Sequence, residues 1–353
     1  MKAAVYFGPE DIRCTDVDAP VLDQDHEVLV RVNATSICGS DLHLFRGALD
    51  PIMRRGHSRT GHELVGKVVE KGRGVSNLSV GDRVTMAYSC SCGSCHMCDI
   101  GQTAHCETMN KAVYGFGDPF GDLNGTHAEY MLLPHAAAHT LRVPEELEDA
   151  AAVSLSCNLP AAIIANRFAD IQKGENVAVV GCGPTGLMAL DLAVQKRPRC
   201  IIAIDVVAHR LDIAAGKTAI PVNPEAGDFP NSALAHTGGR GFDKVIEMVG
   251  TTESLQAALD LVRPGGTIAA LGVFTQEVFN LNLADVFLRD ISLHMNGFAN
   301  VQPFMQEALE LIGNAIINPA ELFTHEMALA DIDKAFATFA AKSDGAVKVL
   351  IRP

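Results

Sequence analysis

Cys92, Cys95, Cys98 and Cys106 place four thiols within 15 residues. Zinc favours four thiolates in a tetrahedral cage, and such close spacing lets one short lobe wrap the ion. Four protein ligands fill the coordination shell and leave no position for water or substrate, so the expected site is structural. His96 and His105 lie inside the lobe, but four thiols suffice, and Cys90 falls just outside the pattern. A second signature is Gly181-Cys182-Gly183-Pro184-Thr185-Gly186, which follows an apolar run and opens a helical pattern. There Gly181 permits a tight turn, Gly183 lets the backbone approach a pyrophosphate, and Gly186 allows close helix–strand packing. The helix N-terminus offers its unpaired N–H groups to the phosphates. Asp205 stands 19 residues after Gly186 at the end of the next apolar run. Its carboxylate can accept hydrogen bonds from the adenosine ribose and would repel a 2′-phosphate, which favours NAD over NADP; Arg210 nearby softens that preference. A third set is scattered: Cys38-Gly39-Ser40-Asp41-Leu42-His43, then Gly61-His62-Glu63, then Cys157. Spacing alone does not link these residues, and each in isolation reads as well as a packed or satisfied side chain.

Composition narrows the classes. The chain has 353 residues, 28 Lys plus Arg against 42 Asp plus Glu, and a formal net charge of −14. That acidity disfavours general binding to nucleic acid or to an anionic membrane surface, and the lack of Trp weakens any stacking surface. Ten cysteines are too sparse for a disulfide-stapled secreted scaffold. The first residues show no signal-peptide pattern, and no run approaches 18 apolar residues. These features point to the reducing cytoplasm, where clustered thiols read as metal ligands.

The elements that must position these groups change character along the chain. To about residue 145, short alternating runs such as Glu27–Val32 and Gly61–Glu70, broken by Gly, Pro, Asp and Asn, predict a β-rich region. Residues 114–126 hold four Gly and one Pro, a loop of the kind that carries substrate contacts. From about 158, apolar runs at 176–180, 200–204, 244–249, 267–271 and 291–293 alternate with helical patterns, which predicts an open parallel sheet covered by helices. Two more helical patterns, about 302–312 and 331–341, precede a final strand at Val347–Ile351.

In their order and jointly, the Cys38–His43 segment, Gly61-His62-Glu63, the four-Cys lobe, Cys157 and the glycine fingerprint resemble the zinc-dependent medium-chain alcohol dehydrogenases over essentially the full chain. The resemblance implies an α/β fold in which a Rossmann dinucleotide-binding domain is inserted in a GroES-like β-barrel catalytic domain. The expected parts are 1–157, with the zinc lobe at about 90–107, then 158–297, then 298–353 returning to the first. It implies a catalytic zinc held by Cys38, His62 and Cys157 with an open fourth position, which makes two zincs per chain. Glu63 would lie behind the metal, Asp41 would orient His62, Ser40 and His43 would relay the proton, and Tyr88 would line the substrate pocket. In the horse-liver-like branch an arginine follows the first cysteine and contacts the pyrophosphate. That position here is Gly39, so Lys348 is the expected remaining cation. The implied activity is reversible, NAD-dependent hydride transfer between an alcohol and its aldehyde or ketone. Gly39-Ser40-Asp41 and the 114–126 loop lean toward formaldehyde-oxidising relatives. Cys157 leans toward simple alcohols, since many polyol dehydrogenases carry a carboxylate there. A non-catalytic nucleotide-sensing zinc protein is the remote alternative, which the complete ligand and relay set disfavours. Family members pair as homodimers or homotetramers, with residues around 265–300 the expected edge.

Overall fold

The computed structural model describes all residues, Met1–Pro353. Contacts divide the chain into two compact units: Met1–Pro160 with Asn300–Pro353, and Ala161–Ala299.

The first unit is built on a mainly antiparallel sheet. Its strands run in the order Phe323–Ala328, Lys348–Arg352, Val28–Ile37, Leu64–Lys71, Arg83–Met86 and Thr140–Arg142, and Tyr130–Leu133 also pairs with Val28–Ile37. Val28, Val30 and Val32 alternate inward with Leu64, Val68, Val84, Met86, Met131 and Leu133, as a half-buried β surface requires. A separate ribbon, Lys2–Gly8 against Asp11–Asp16, supplies Tyr6 and Ile12 to a second cluster. That cluster also takes Leu44 and Phe45, Phe336 and Phe339 of helix Ile332–Ala341, and Val349 and Ile351. The two separated segments of this unit therefore share one core. The apolar run at Gly61–Glu70 enters the sheet only at Leu64. Gly61 sits at φ +95°, and a Cβ there would lie 2.6 Å from the His127 ring, so the chain turns through residues 61–63 before pairing.

The second unit is a six-stranded parallel sheet. Its order is Ile220–Val222, Cys200–Ile204, Asn176–Val180, Phe242–Glu247, Val262–Ala270 and Ser292–Met295. Reading outward from Asn176–Val180, the order reverses at its junction with Phe242–Glu247, and ligands bind at the carboxyl ends of strands beside such a switch point. The runs at 176–180 and 200–204 are strands at the expected residues. Ile220–Val222 escaped the sequence reading because it is only three residues long, contains Pro221 and buries only Val222. The strand expected from Thr267 already starts at Val262 and runs through Pro264, Gly265 and Gly266, residues that read as strand breakers. Towards the C-terminus the helical patterns are Met305–Gly313 and Ile332–Ala341, and the last strand is Lys348–Arg352. No helix is long and apolar enough to cross a membrane.

Candidate active site

Sheet register brings the scattered residues together. Val28–Ile37 runs antiparallel to Leu64–Lys71 with Thr35 opposite Leu64. Cys38, one residue beyond the first strand, therefore meets His62 and Glu63, which immediately precede the second. Cys157 is delivered by its neighbour: the Ser156 hydroxyl accepts from the Leu64 N–H at 3.2 Å, and the Ser156 carbonyl accepts from the Tyr88 N–H at 3.0 Å. One donor atom from each of Cys38, His62, Glu63 and Cys157 lies within 4.8 Å of the others. Two ligands on one tetrahedral zinc, each about 2.3 Å away, are about 3.8 Å apart, so the cluster can close on an ion.

Asp41 is fully buried and holds this cluster from behind. One carboxylate oxygen accepts from the Cys38 N–H at 2.8 Å, and the other lies 3.2 Å from His62 Nδ1. Holding Nδ1–H in this way leaves Nε2 as the lone-pair donor that a metal needs. Burial opposes a charge on His62, but Asp41 and the Cys38 sulfur outweigh it and raise its affinity for a proton or another cation. A hydrogen bond from the Cys157 thiol holds Cys38 well below the usual thiol range, while the same bond and burial push Cys157 up. Two sulfurs sharing a proton beside an imidazole are a donor set that a soft divalent cation would complete. The Asn158 amide donates to Cys38 Sγ at 3.5 Å.

Glu63 lies behind the cluster, fully buried. Its Oε2 accepts from Lys348 Nζ at 2.8 Å and from the Ser36 hydroxyl, while its Oε1 has no partner and stands 4.0 Å from His62 Nε2. Burial pushes this carboxyl up to about 7 against the pull of Lys348. The expectation for Lys348 is corrected here. Its ammonium is wholly buried, bonded to Glu63 and to the Ile37 carbonyl, so it braces the metal cluster instead of facing a cofactor phosphate. A lysine seen only in sequence gives no sign of which way its long stem runs.

On the open side, Ser40 Oγ lies 3.4 Å from His62 Nε2. His43 is half-buried on the same short helix, Asp41–Phe45, and shares only a backbone hydrogen bond with Ser40. Burial, reinforced by Arg46, keeps its pKa below the usual imidazole value. The Tyr88 ring lies 6.2 Å from the His62 ring and the Phe116 ring 5.4 Å, both edge-on. Phe116, Ser36 and Asn158 are site residues that the sequence reading missed. Only Phe116 had a signal, its place in the glycine-rich loop.

The four-Cys lobe is equally compact. Its sulfurs fall within 4.8 Å of one another, with Cys95 Sγ 3.5 Å from Cys98 Sγ and 3.8 Å from Cys106 Sγ, close to the tetrahedral edge. Backbone N–H groups of Cys92 and Met109 point at Cys106 Sγ, and that of Ser94 at Cys92 Sγ, which suits thiolates. Asn300 ties the lobe down: its Oδ1 accepts from Thr103 Oγ1 at 2.8 Å and from the Ala104 N–H at 3.0 Å, and its amide donates to the Gly101 carbonyl. Cys90 is buried outside the cluster, its thiol on the Pro134 carbonyl.

In the second unit, the turn Gly181–Gly183 leads from strand Asn176–Val180 into helix Pro184–Gln195, which begins with Pro184, Thr185 and Gly186. A Cβ on Gly186 would sit 1.9 Å from the Gly181 carbonyl oxygen, whereas one on Gly183 would meet only Arg210 Nη1, at 3.8 Å. Gly186 is thus demanded by packing, and Gly183 leaves a space that a phosphate could occupy. The Asp205 carboxylate accepts from the N–H groups of Cys182 and Val207 at 2.8 and 2.9 Å, which places it beside the turn. Arg210 is 7% exposed and its Nε has no partner, so the guanidinium stands at the same turn.

Comparison with known proteins matches two family models, the alcohol dehydrogenase GroES-like domain over residues 24–145 and the zinc-binding dehydrogenase over residues 184–314. A probable zinc-binding alcohol dehydrogenase of Mycobacterium tuberculosis is 34% identical, over 100% of this chain and 89% of its own length. The solved alcohol dehydrogenase TADH from Thermus sp. ATN1 superposes with a TM-score of 0.91 at 34% identity, covering 100% of this chain and 99% of its own. A zinc-dependent alcohol dehydrogenase 2 from Streptococcus pneumonia superposes at 0.88 with 33% identity, covering 100% and 98%.

Proposed function

The chain belongs to the zinc-dependent medium-chain alcohol dehydrogenase family, with a GroES-like domain and a Rossmann-type domain, and on that premise we propose that it catalyses the reversible, NAD-dependent oxidation of an alcohol to its aldehyde or ketone. The observation that carries the reading is the convergence of Cys38, His62 and Cys157, with His62 Nδ1 held by Asp41. Those three residues would hold a catalytic zinc, and Cys92, Cys95, Cys98 and Cys106 a structural one. When bound at the first site, zinc acts as a Lewis acid that lowers the pKa of an oxygen ligand.

The residues of this chain do the rest. Asp41 fixes the ring and tautomer of His62 and, through the Cys38 N–H, the position of that sulfur. Ser40 Oγ, beside His62 Nε2, would relay the hydroxyl proton of the substrate, giving up its own proton towards His43 as it takes that one. His43, kept neutral near pH 7 by burial, passes a proton to solvent. Tyr88 and Phe116 form apolar walls that exclude water from the reacting carbon. In the second unit, Gly181, Gly183, Pro184, Thr185 and Gly186 would cradle the pyrophosphate. Asp205 would bind the adenosine ribose, and its charge supports NAD. Arg210 at the same turn would still admit NADP with weaker preference. The apolar, exposed side chains of Leu283, Phe287 and Leu288, near the edge strand Ser292–Met295, support pairing with a second copy. The gathering of six of the ten cysteines into two metal-ligand clusters supports a cytoplasmic location.

The test is a zinc count together with a panel of primary, secondary, aromatic and polyol alcohols and their carbonyls, each with NAD and NADP. Two zincs per chain and turnover of simple alcohols with NAD are expected. A single zinc, or turnover of polyols alone, would overturn the respective part. Asp205→Ala should weaken NAD more than NADP, and equal losses would refute the ribose contact.

A further inference from the structure

The family reading leaves unexplained a basic cavity in the first unit. In a chain of net charge −14, residues 54–59, Arg-Arg-Gly-His-Ser-Arg, hold three arginines and a histidine and no carboxylate. Arg54, His57, Ser58 and Arg59 line a cavity of about 200 Å³ together with Asp122 and Asn124 of the glycine-rich loop. A water needs roughly 10–15 Å³ of such space, so the cavity holds a small ion with some of its hydration. The arginines differ in their partners. Arg55 is bonded to Asp50 at 2.7 Å, and Arg54 is paired with Asp122. Arg59 is half-buried; the hydrogen-bond partner of its side chain is neutral, the Asp18 carbonyl at 3.1 Å from its Nη2, and the Asp18 carboxylate acts on it only through space. No carboxylate reaches it within ion-pair distance. Burial lowers its pKa by more than the nearby Asp18 carboxylate raises it, a strain that an anion in the cavity would relieve.

We infer that this cavity is an oxyanion site, formed by Arg59, Arg54 and His57, that takes a phosphate or carboxylate group. A planar guanidinium with unpaired N–H donors is matched to such oxygens, and desolvation on one side strengthens the pair. Asp122 sets its selectivity: it neutralises Arg54 while the cavity is empty and must release it as an anion enters. The same loop carries Phe116 against His62, so an occupied cavity fixes the loop that walls the reacting centre. The anion is either a free ion or the charged tail of a substrate.

Calorimetric titration of inorganic phosphate into the zinc-loaded enzyme, at constant ionic strength, reads binding whether or not the enzyme turns over. One saturable site per chain is expected. Arg59→Gln should weaken it by about tenfold or more, the loss of a charge-assisted contact. Asp122→Asn should tighten it, because the competing carboxylate is gone and Arg54 is freed; this second variant keeps the test open if the first misfolds. Phosphate that inhibits oxidation of a hydroxy acid competitively, but not that of an uncharged alcohol, identifies the site with a substrate tail. A like effect on both rates, or on neither, identifies a free ion. No saturable binding to the wild type, or affinities unchanged in both variants, overturns the inference.

Discussion

Replacing Asp41 with asparagine removes one charge and keeps the shape. Asp41 is fully buried and accepts two hydrogen bonds, at 2.8 Å from the Cys38 N–H and 3.2 Å from His62 Nδ1. Asparagine can reproduce only one of them, because its amide nitrogen must face a donor at the other. Hydrogen bonds to a charged group contribute about 1.5–3 kcal/mol each, and the new donor–donor contact cannot escape to water. Partners that orient a metal ligand typically change affinity by about 10–100-fold, or about 1.4–2.7 kcal/mol. Asp41→Asn should therefore lose zinc from the Cys38–His62–Cys157 site at about 10–100-fold lower chelator strength. The lobe zinc should be unaffected. Titration with a graded series of chelators, followed by metal counting and a turnover assay after each step, measures both. Activity should disappear together with the first zinc and return when zinc is restored in excess. Retention of both zincs at wild-type chelator strength, or loss of the two together, would refute the orienting role.

Three further outcomes follow from the geometry. Gly183→Ala should melt within about 1 kcal/mol of the wild type, since its Cβ meets only Arg210, yet bind NAD more weakly; Gly186→Ala, 1.9 Å from a carbonyl oxygen, should fail to fold stably, and equal melting of the two would refute the division of roles. His43→Ala should slow oxidation and abolish the acidic limb of the pH–rate profile: the wild-type base is lost as pH falls through a pKa below 6.5, so its contribution is present above that pH and absent below it. An unchanged profile removes His43 from the proton path. Lys348→Met should destabilise the protein by about 3–5 kcal/mol, because it leaves Glu63 buried without its counter-charge, as denaturant melts would show. A stable variant with a large loss of NAD affinity would instead restore Lys348 to the cofactor.

The lobe was legible in the sequence because all four sulfurs lie on one short segment, so spacing alone implies proximity. The other cluster was not, since nothing in the separate segments of Cys38 and His62 encodes that Thr35 faces Leu64 or that Ser156 bonds to that strand. Order relative to the lobe and the glycine turn supplied what spacing lacked. The parallel strands at 176–180 and 200–204 were readable as continuous apolar runs, but the Val262–Gly266 start of Val262–Ala270 was hidden by Pro264, Gly265 and Gly266, which fall in a bulge between the Phe242–Val262 and Lys244–Thr267 pairs. Lys348 was misplaced because residue type signals a cation without signalling its direction. Ser36 and Asn158 are ordinary polar residues whose roles exist only through burial.

Lys348 and Ile37 are 311 residues apart and hydrogen-bonded. At about 5–20 residues per second, the ribosome takes about 15–60 seconds to make that interval. Throughout it, the Thr35–Ile37 end of the strand lacks its partner Val349–Ile351, since Tyr130–Leu133 covers only Val28–Arg31, and Glu63 waits in a half-built interior without its ammonium. The nascent chain therefore spends most of its synthesis with that short stretch of sheet edge open, the kind of surface on which strands of other chains pair. Asn300 closes the Cys lobe earlier, as soon as the second unit has been made. The second unit, continuous in sequence, can complete its own sheet before either event. Metal loading at the Cys38 cluster is thus expected to be among the last steps of maturation, and a cell making this protein quickly would need chaperones to shield the waiting edge.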